Sequence, residues 1–150
     1  MTTSIQARQD IETRVAGFVQ TYADTITKNY REYHLRTLKG NLSGKYPEYA
    51  REHLDEIENG TAKLMYFKIK TGKKFYKIVQ MSFDTFQNRN EYREGSVHAF
   101  VDKQTGQVYK PASWQAPAKH VRYDFRIIRE REFLFNSNNT DWAGGYLYLR

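Results

Sequence analysis

The apolar positions of this chain change their spacing near residue 61, and the change divides it in two. From residue 4 to residue 38 they recur in steps of three and four: Ile11, Val15, Phe18, Val19, Tyr22, Ile26, Tyr30 and Tyr33. That period gathers them on one side of a helix, and no proline interrupts the segment, so it predicts one long helix. Gly17 is the only glycine inside it. It costs about 1 kcal/mol relative to alanine and leaves room for a close crossing. Residues 40–45 are rich in turn formers and read as a connector. Pro47 then opens a second helix, where its missing N–H is no loss, and Gly60 closes it. Tyr49, Ala50, His53, Leu54 and Ile57 form its inner face. Glu52, Asp55, Glu56 and Glu58 make the outer face acidic.

Beyond residue 61 the period falls to two. Residues 62–70 and 73–82 alternate about Thr71-Gly72 and predict a hairpin with one apolar and one lysine-rich face. Residues 83–95 are polar and read as an irregular loop. Alternation returns with Val97, Ala99 and Val101 on one side and His98, Phe100 and Asp102 on the other. A turn follows at 103–106, with Gly106 suited to positive φ, and 107–110 pair back. Proline bounds residues 111–117, which predicts an arm over the surface with Trp114 at its middle. Residues 123–135 fit a strand or a helix equally. Residues 136–141 read as a loop and 146–150 as a short final strand.

The sum is an α+β fold: a long N-terminal helix and a second short helix packed on an antiparallel sheet of about five strands. It is one domain, helical to residue 60, with the sheet and the ligand-binding part from residue 61. A helix this long outruns its own core. Its surplus stripe predicts a homo-oligomer built through the N-terminal helix.

Composition narrows the function. Aromatics make up 15% of the chain, chiefly 12 Tyr and 9 Phe, so the chain folds and has rings to spare for contact surfaces. The net charge of +7 favours anionic partners. There is no cysteine, which removes disulfides and thiolate chemistry. No stretch is apolar enough for a signal peptide or a membrane span, so a cytoplasmic protein is expected.

No phosphate loop, dinucleotide fingerprint, nucleophile elbow or zinc spacing occurs. Of the four histidines, His98 and His120 could face each other across a site, an arrangement that would suit phosphodiester cleavage. Nothing else specifies catalysis, so the chain is read as a binding protein without a cofactor or metal. Basic residues among aromatics suit a nucleotide: arginine for phosphate, a ring for the base, amides for the ribose. The candidate ligand-binding residues are Phe100, Trp114, Tyr109, Lys119, Arg122, His98, Asn88 and Arg126. Lys119 and Arg122 are placed at the phosphates. Single-stranded nucleic acid uses the same features and is the competing reading.

Val97-His-Ala-Phe-Val-Asp-Lys, Thr105-Gly, Val108-Tyr-Lys-Pro-Ala-Ser-Trp, Ala116-Pro-Ala-Lys and Arg122 resemble a block found in small proteins of bacterial viruses and their prophages. Trp142-Ala-Gly-Gly-Tyr-Leu-Tyr-Leu fits the same group. Within it, the chain is similar to the Thoeris anti-defence proteins of phages. That resemblance implies an oligomer that binds a cyclic ADP-ribose-type signal made by the host and withholds it without cleaving it. It assigns no ligand-contacting residue of this chain.

Overall fold

A computed structural model describes residues 2–149 of the protein. The predicted first helix is α1, Thr2–Asn41, with 40 residues, a rod of about 60 Å. Val15, Val19, Tyr22, Ala23 and Ile26 on its stripe are buried, whereas Ile5 and Ile11 near its start are 62% and 43% exposed. The helix therefore extends past the core at its N-terminal end. Gly17 faces open space, with nothing within 4 Å of a Cβ placed there, so the close crossing it could have served does not occur within this chain. The second helix, α2, is Pro47–Asn59, with Pro47 in its first turn. Gly60 ends it at φ 77°, in the left-handed region that a glycine adopts without steric cost, with its N–H on the Ile57 carbonyl.

Five antiparallel strands follow in simple meander order: β1 Tyr66–Thr71, β2 Phe75–Asp84, β3 Glu91–Asp102, β4 Gln107–Tyr109 and β5 Tyr123–Asp124. The loop expected over 83–95 is much shorter than predicted. β2 runs on to Asp84 and β3 begins at Glu91, leaving a tight turn around Phe86–Asn88. Only Phe83 and Tyr92 give this part of the ribbon a half-buried side, and its other residues are polar, so the apolar alternation of a half-buried strand is too sparse to read. Asp84 organises the turn, accepting from the Phe86 N–H and pairing with Arg89 and Arg93.

Residues 123–135 divide between both expectations, β5 and then a helix α3 at Ile128–Leu134. The expected last strand is instead a 3₁₀ turn, Gly145–Leu147. It follows Gly144 at φ 85° and has no neighbouring strand to pair with.

One face of the sheet packs on α1. Across the strands, Thr71, Tyr76, Val101, Val108 and Tyr123 form a continuous row. All but Thr71 belong to or pack against the main core. Phe125 is the centre of this layer, fully buried between Phe18, Tyr22 and Phe135. The adjacent row, Lys70, Lys77, Phe100 and Tyr109, points away from the helix.

β3 does not alternate regularly. Ile78 pairs with Ala99 but Val79 pairs with Val97, so His98 is the extra residue of a bulge. The bulge turns His98 towards the helix side, where it meets Phe67 and Tyr146 of the core, instead of sharing a face with Phe100 as alternation predicts.

Candidate ligand-binding site

The predicted arm is a closed loop. Pro111 and Pro117 bridge its base, and the Ala112 and Ser113 N–H groups both donate to the Ala116 carbonyl. Ser113 Oγ accepts from the N–H groups of Gln115 and Ala116, which fixes the tip. The arm folds back over the sheet face that lacks a helix. There Trp114 lies above the lysine row, with Lys77 Nζ 5.3 Å and Lys70 Nζ 5.7 Å from its ring centre. Lys77 Nζ is also 5.7 Å from the centre of Phe100.

Beside the arm is a cleft of about 370 Å³. Ser96 and Val97 of β3 form one side, Lys110 and Pro111 a second, and the C-terminal residues 142–148 the third. A shallower groove under Trp114 shares Ser96, Val97 and Pro111 with it, so the two are continuous. Lys110 Nζ rests 4.7 Å above the Tyr148 ring at the rim. The two segments with the most distinctive sequence, 96–123 and 142–149, thus meet at this one cleft.

The floor is held by a buried polar chain. His98 Nε2 is 2.7 Å from the Tyr146 hydroxyl, which is 2.5 Å from the Tyr22 hydroxyl of α1. Burial pushes the His98 pKa down to about 4, outweighing the opposing influence of Asp141 and of a backbone hydrogen bond to Trp142. Burial likewise pushes the Tyr22 and Tyr146 hydroxyls up. All three groups are therefore neutral at pH 7, and the chain acts as a tether joining α1, the bulge and the C-terminal segment. The facing His98–His120 pair does not form, because His98 is turned into this chain while His120 is exposed on the surface.

The structure brings four of the eight predicted residues to this region. Trp114 caps the groove. Phe100 and Tyr109 lie in the sheet beneath, though Phe100, 1% exposed, is floor and not a contact surface. His98 lies under the cleft.

The other four have different surroundings. Arg122 donates through Nε to the Leu147 carbonyl at 2.7 Å and through a terminal nitrogen to the carbonyls of Lys119 and His120. It clamps the arm to the C-terminal segment, and most of its donors are occupied. Lys119 is exposed and lends its carbonyl to that clamp. Arg126 closes on Asp124 with contacts of 2.8 and 3.1 Å. Burial raises the Asp124 carboxyl, but Arg126 outweighs burial and holds it below its usual range. Asn88 stands in the β2–β3 turn. Asp84 is seven residue steps along β2 from Lys77, about 23 Å of strand, so Asn88 is remote from Trp114.

Lys110, Trp142 and Tyr148 were not singled out by sequence, and the hairpin lysines, Lys70 and Lys77 among them, read there as edge protection more than as a phosphate-facing surface. A turn at Thr71-Gly72 would set Lys70 opposite Lys73; the turn instead spans residues 72–74, and the shifted register sets Lys70 opposite Lys77. Nothing local predicted that the arm would fold onto that pair.

The fold is that of a small α+β protein with an aromatic-rimmed cleft between β3, the base of the arm and the C-terminal segment. The chain belongs to a family of unknown function, DUF7717, which matches residues 1–149. Neither a curated protein nor a solved structure matches it.

Proposed function

We propose that this protein binds a cyclic ADP-ribose-type signalling nucleotide, holds it without cleaving it, and so blocks Thoeris immunity as a phage anti-defence protein. The observation that carries the reading is the cleft at the arm. Its volume falls in the range of small-molecule sites. The cleft and the groove beside it offer Tyr148 and Trp114 as rings for a base and Lys110 as a cation for phosphates, with Lys70 and Lys77 at the Trp114 ring beyond them. The tether beneath it is neutral and internally hydrogen-bonded, which suits a rigid floor that orders little on binding. In this account the protein acts in the host cytoplasm. Its copies associate through the projecting start of α1, where Ile5 and Ile11 are exposed. No helix among the described residues is long and apolar enough to cross a membrane.

The test is capture and release. The protein is incubated with a lysate of cells expressing a TIR-domain cyclase, repurified and heated, and the released small molecules are read by mass spectrometry. The reading expects an intact cyclic nucleotide. Recovery of only a hydrolysed product would replace the sponge with an enzyme. Retention of nothing but oligonucleotides would favour single-stranded nucleic acid, whose binding should weaken steeply with salt.

A further inference from the structure

The lysines under the arm are not balanced. Lys70 and Lys77 stand directly opposite each other in register, a like-charge pair that destabilises a sheet. Lys68 lies two residues from Lys70 on the same strand face. One carboxylate, Glu94, serves both Lys68 and Lys70, at 3.1 and 3.0 Å. Those two lysines hold the Glu94 carboxyl below its usual range. Lys77 has no ion pair among the described residues; its ammonium faces only the rings of Trp114 and Phe100. Lys68 and Lys70 thus share one negative charge, and Lys77 is left with ring faces. A ring face satisfies an ammonium less well than a phosphate oxygen does, because the phosphate bond is charge-assisted and directional.

We infer that Lys70 and Lys77 form a subsite for a pyrophosphate group, with Trp114 as the plate on which the attached base stacks. The inference rests on the nucleotide reading above and moves its phosphate contacts from Lys119 and Arg122 to these two lysines. A doubly charged anion set between them relieves the Lys70–Lys77 repulsion and leaves Glu94 with Lys68. The Trp114 ring is anchored at the tip of a loop closed by the 111–117 bridge, so it remains over the site once its lysine contacts pass to the ligand. The groove beneath it opens into the cleft, which gives the rest of a nucleotide a continuous path.

The experiment is calorimetric titration of the full chain with inorganic pyrophosphate, with ADP and with cyclic ADP-ribose at low ionic strength. Wild type is compared with K77Q, K77R and W114L, each checked for fold by circular dichroism. The subsite predicts that K77Q weakens pyrophosphate and ADP together by about tenfold or more. K77R recovers most of the loss, and W114L weakens ADP while sparing pyrophosphate. If K77Q does not fold, K70Q at the more exposed lysine carries the same expectation. Pyrophosphate binding that is absent from wild type, or unchanged in a folded lysine variant, overturns the subsite. If cyclic ADP-ribose still binds in that case, the proposed function stands without it. If pyrophosphate and ADP bind through Lys77 but the cyclic nucleotide does not, the subsite stands and the proposed function falls.

Discussion

The two faces of the sheet differ in what covers them. On the helix side, the row through Tyr76, Val101, Val108 and Tyr123 is closed by α1 and α3, and the Tyr123 hydroxyl donates to the Tyr146 carbonyl inside the fold. On the arm side, the neighbouring row of Lys70, Lys77, Phe100 and Tyr109 is covered by a single seven-residue loop whose tryptophan faces ammonium groups. Strands only a few residues long in places supply both faces, so the contrast arises from alternation and not from separate structural units. The helix side is packed into the core. The arm side has charge left over, and that surplus is what points to a ligand.

The contrast also separates two cations that look alike in sequence. Arg122 spends its guanidinium on three main-chain carbonyls, while Lys77 has only rings. Arginine's fork of donors suits convergent carbonyls as well as it suits phosphate, so residue type alone could not tell a clamp from a ligand contact.

The largest expected effect breaks the closed side. Phe125→Ala should cost about 3–5 kcal/mol in urea unfolding, because a fully buried ring between Phe18, Tyr22 and Phe135 leaves a cavity that cannot fully collapse. A loss below 1 kcal/mol would mean that this layer is not the centre of the core.

Next in size is the pH response of the tether. His98 has a folded pKa near 4, below its unfolded value, so between these values the unfolded chain binds the extra proton. Its contribution is complete above about pH 6.5 and is lost as pH falls towards 4, a decline of roughly 3 kcal/mol. His98→Gln should flatten that part of the stability profile in chemical denaturation between pH 4 and 7. An unchanged slope in the variant would assign the decline to other groups.

Arg122→Ala should destabilise by about 2 kcal/mol through the carbonyls it abandons. It should free the C-terminal segment, visible as faster amide exchange at 147–149, without removing a direct phosphate contact. Trp114→Ala on the open side should leave stability within about 1 kcal/mol of wild type. It should nevertheless weaken nucleotide binding by about 1–3 kcal/mol. Loss of fold in that variant would place Trp114 in the core and erase the distinction between the faces. The smallest change has the most informative sign. Glu94→Gln removes the one carboxylate shared by Lys68 and Lys70 and should tighten pyrophosphate binding.

Local patterns carried most of the fold. The three-and-four spacing of α1, the proline and glycine that bound α2, and the alternation of the first hairpin each translate directly into backbone. Three things were not legible. The polar end of the β2–β3 ribbon has only Phe83 and Tyr92 half-buried, too few to write an alternation. The bulge at His98 shifts the face of one side chain without any sequence mark, since alternation carries no record of register. The third is the landing place of the arm: prolines announce that residues 111–117 leave the sheet, but only the packed structure puts Trp114 above Lys77. The site was thus half legible. The arm and the rings of Trp114, Phe100 and Tyr109 were identified, while Tyr148 was missed and the phosphate contacts were placed on Lys119 and Arg122, which lie near Trp114 in sequence.

The central claim is that the arm-side cleft binds a nucleotide and leaves it intact. The most direct measurement is calorimetric titration of the purified chain with cyclic ADP-ribose isomers, followed by heat release and mass spectrometry of the same sample. The account predicts saturable binding of at least one isomer, weakened in Trp114→Ala, with the nucleotide recovered unchanged. Absence of saturable binding to every isomer at low salt, or recovery of the nucleotide only in cleaved form, would contradict it.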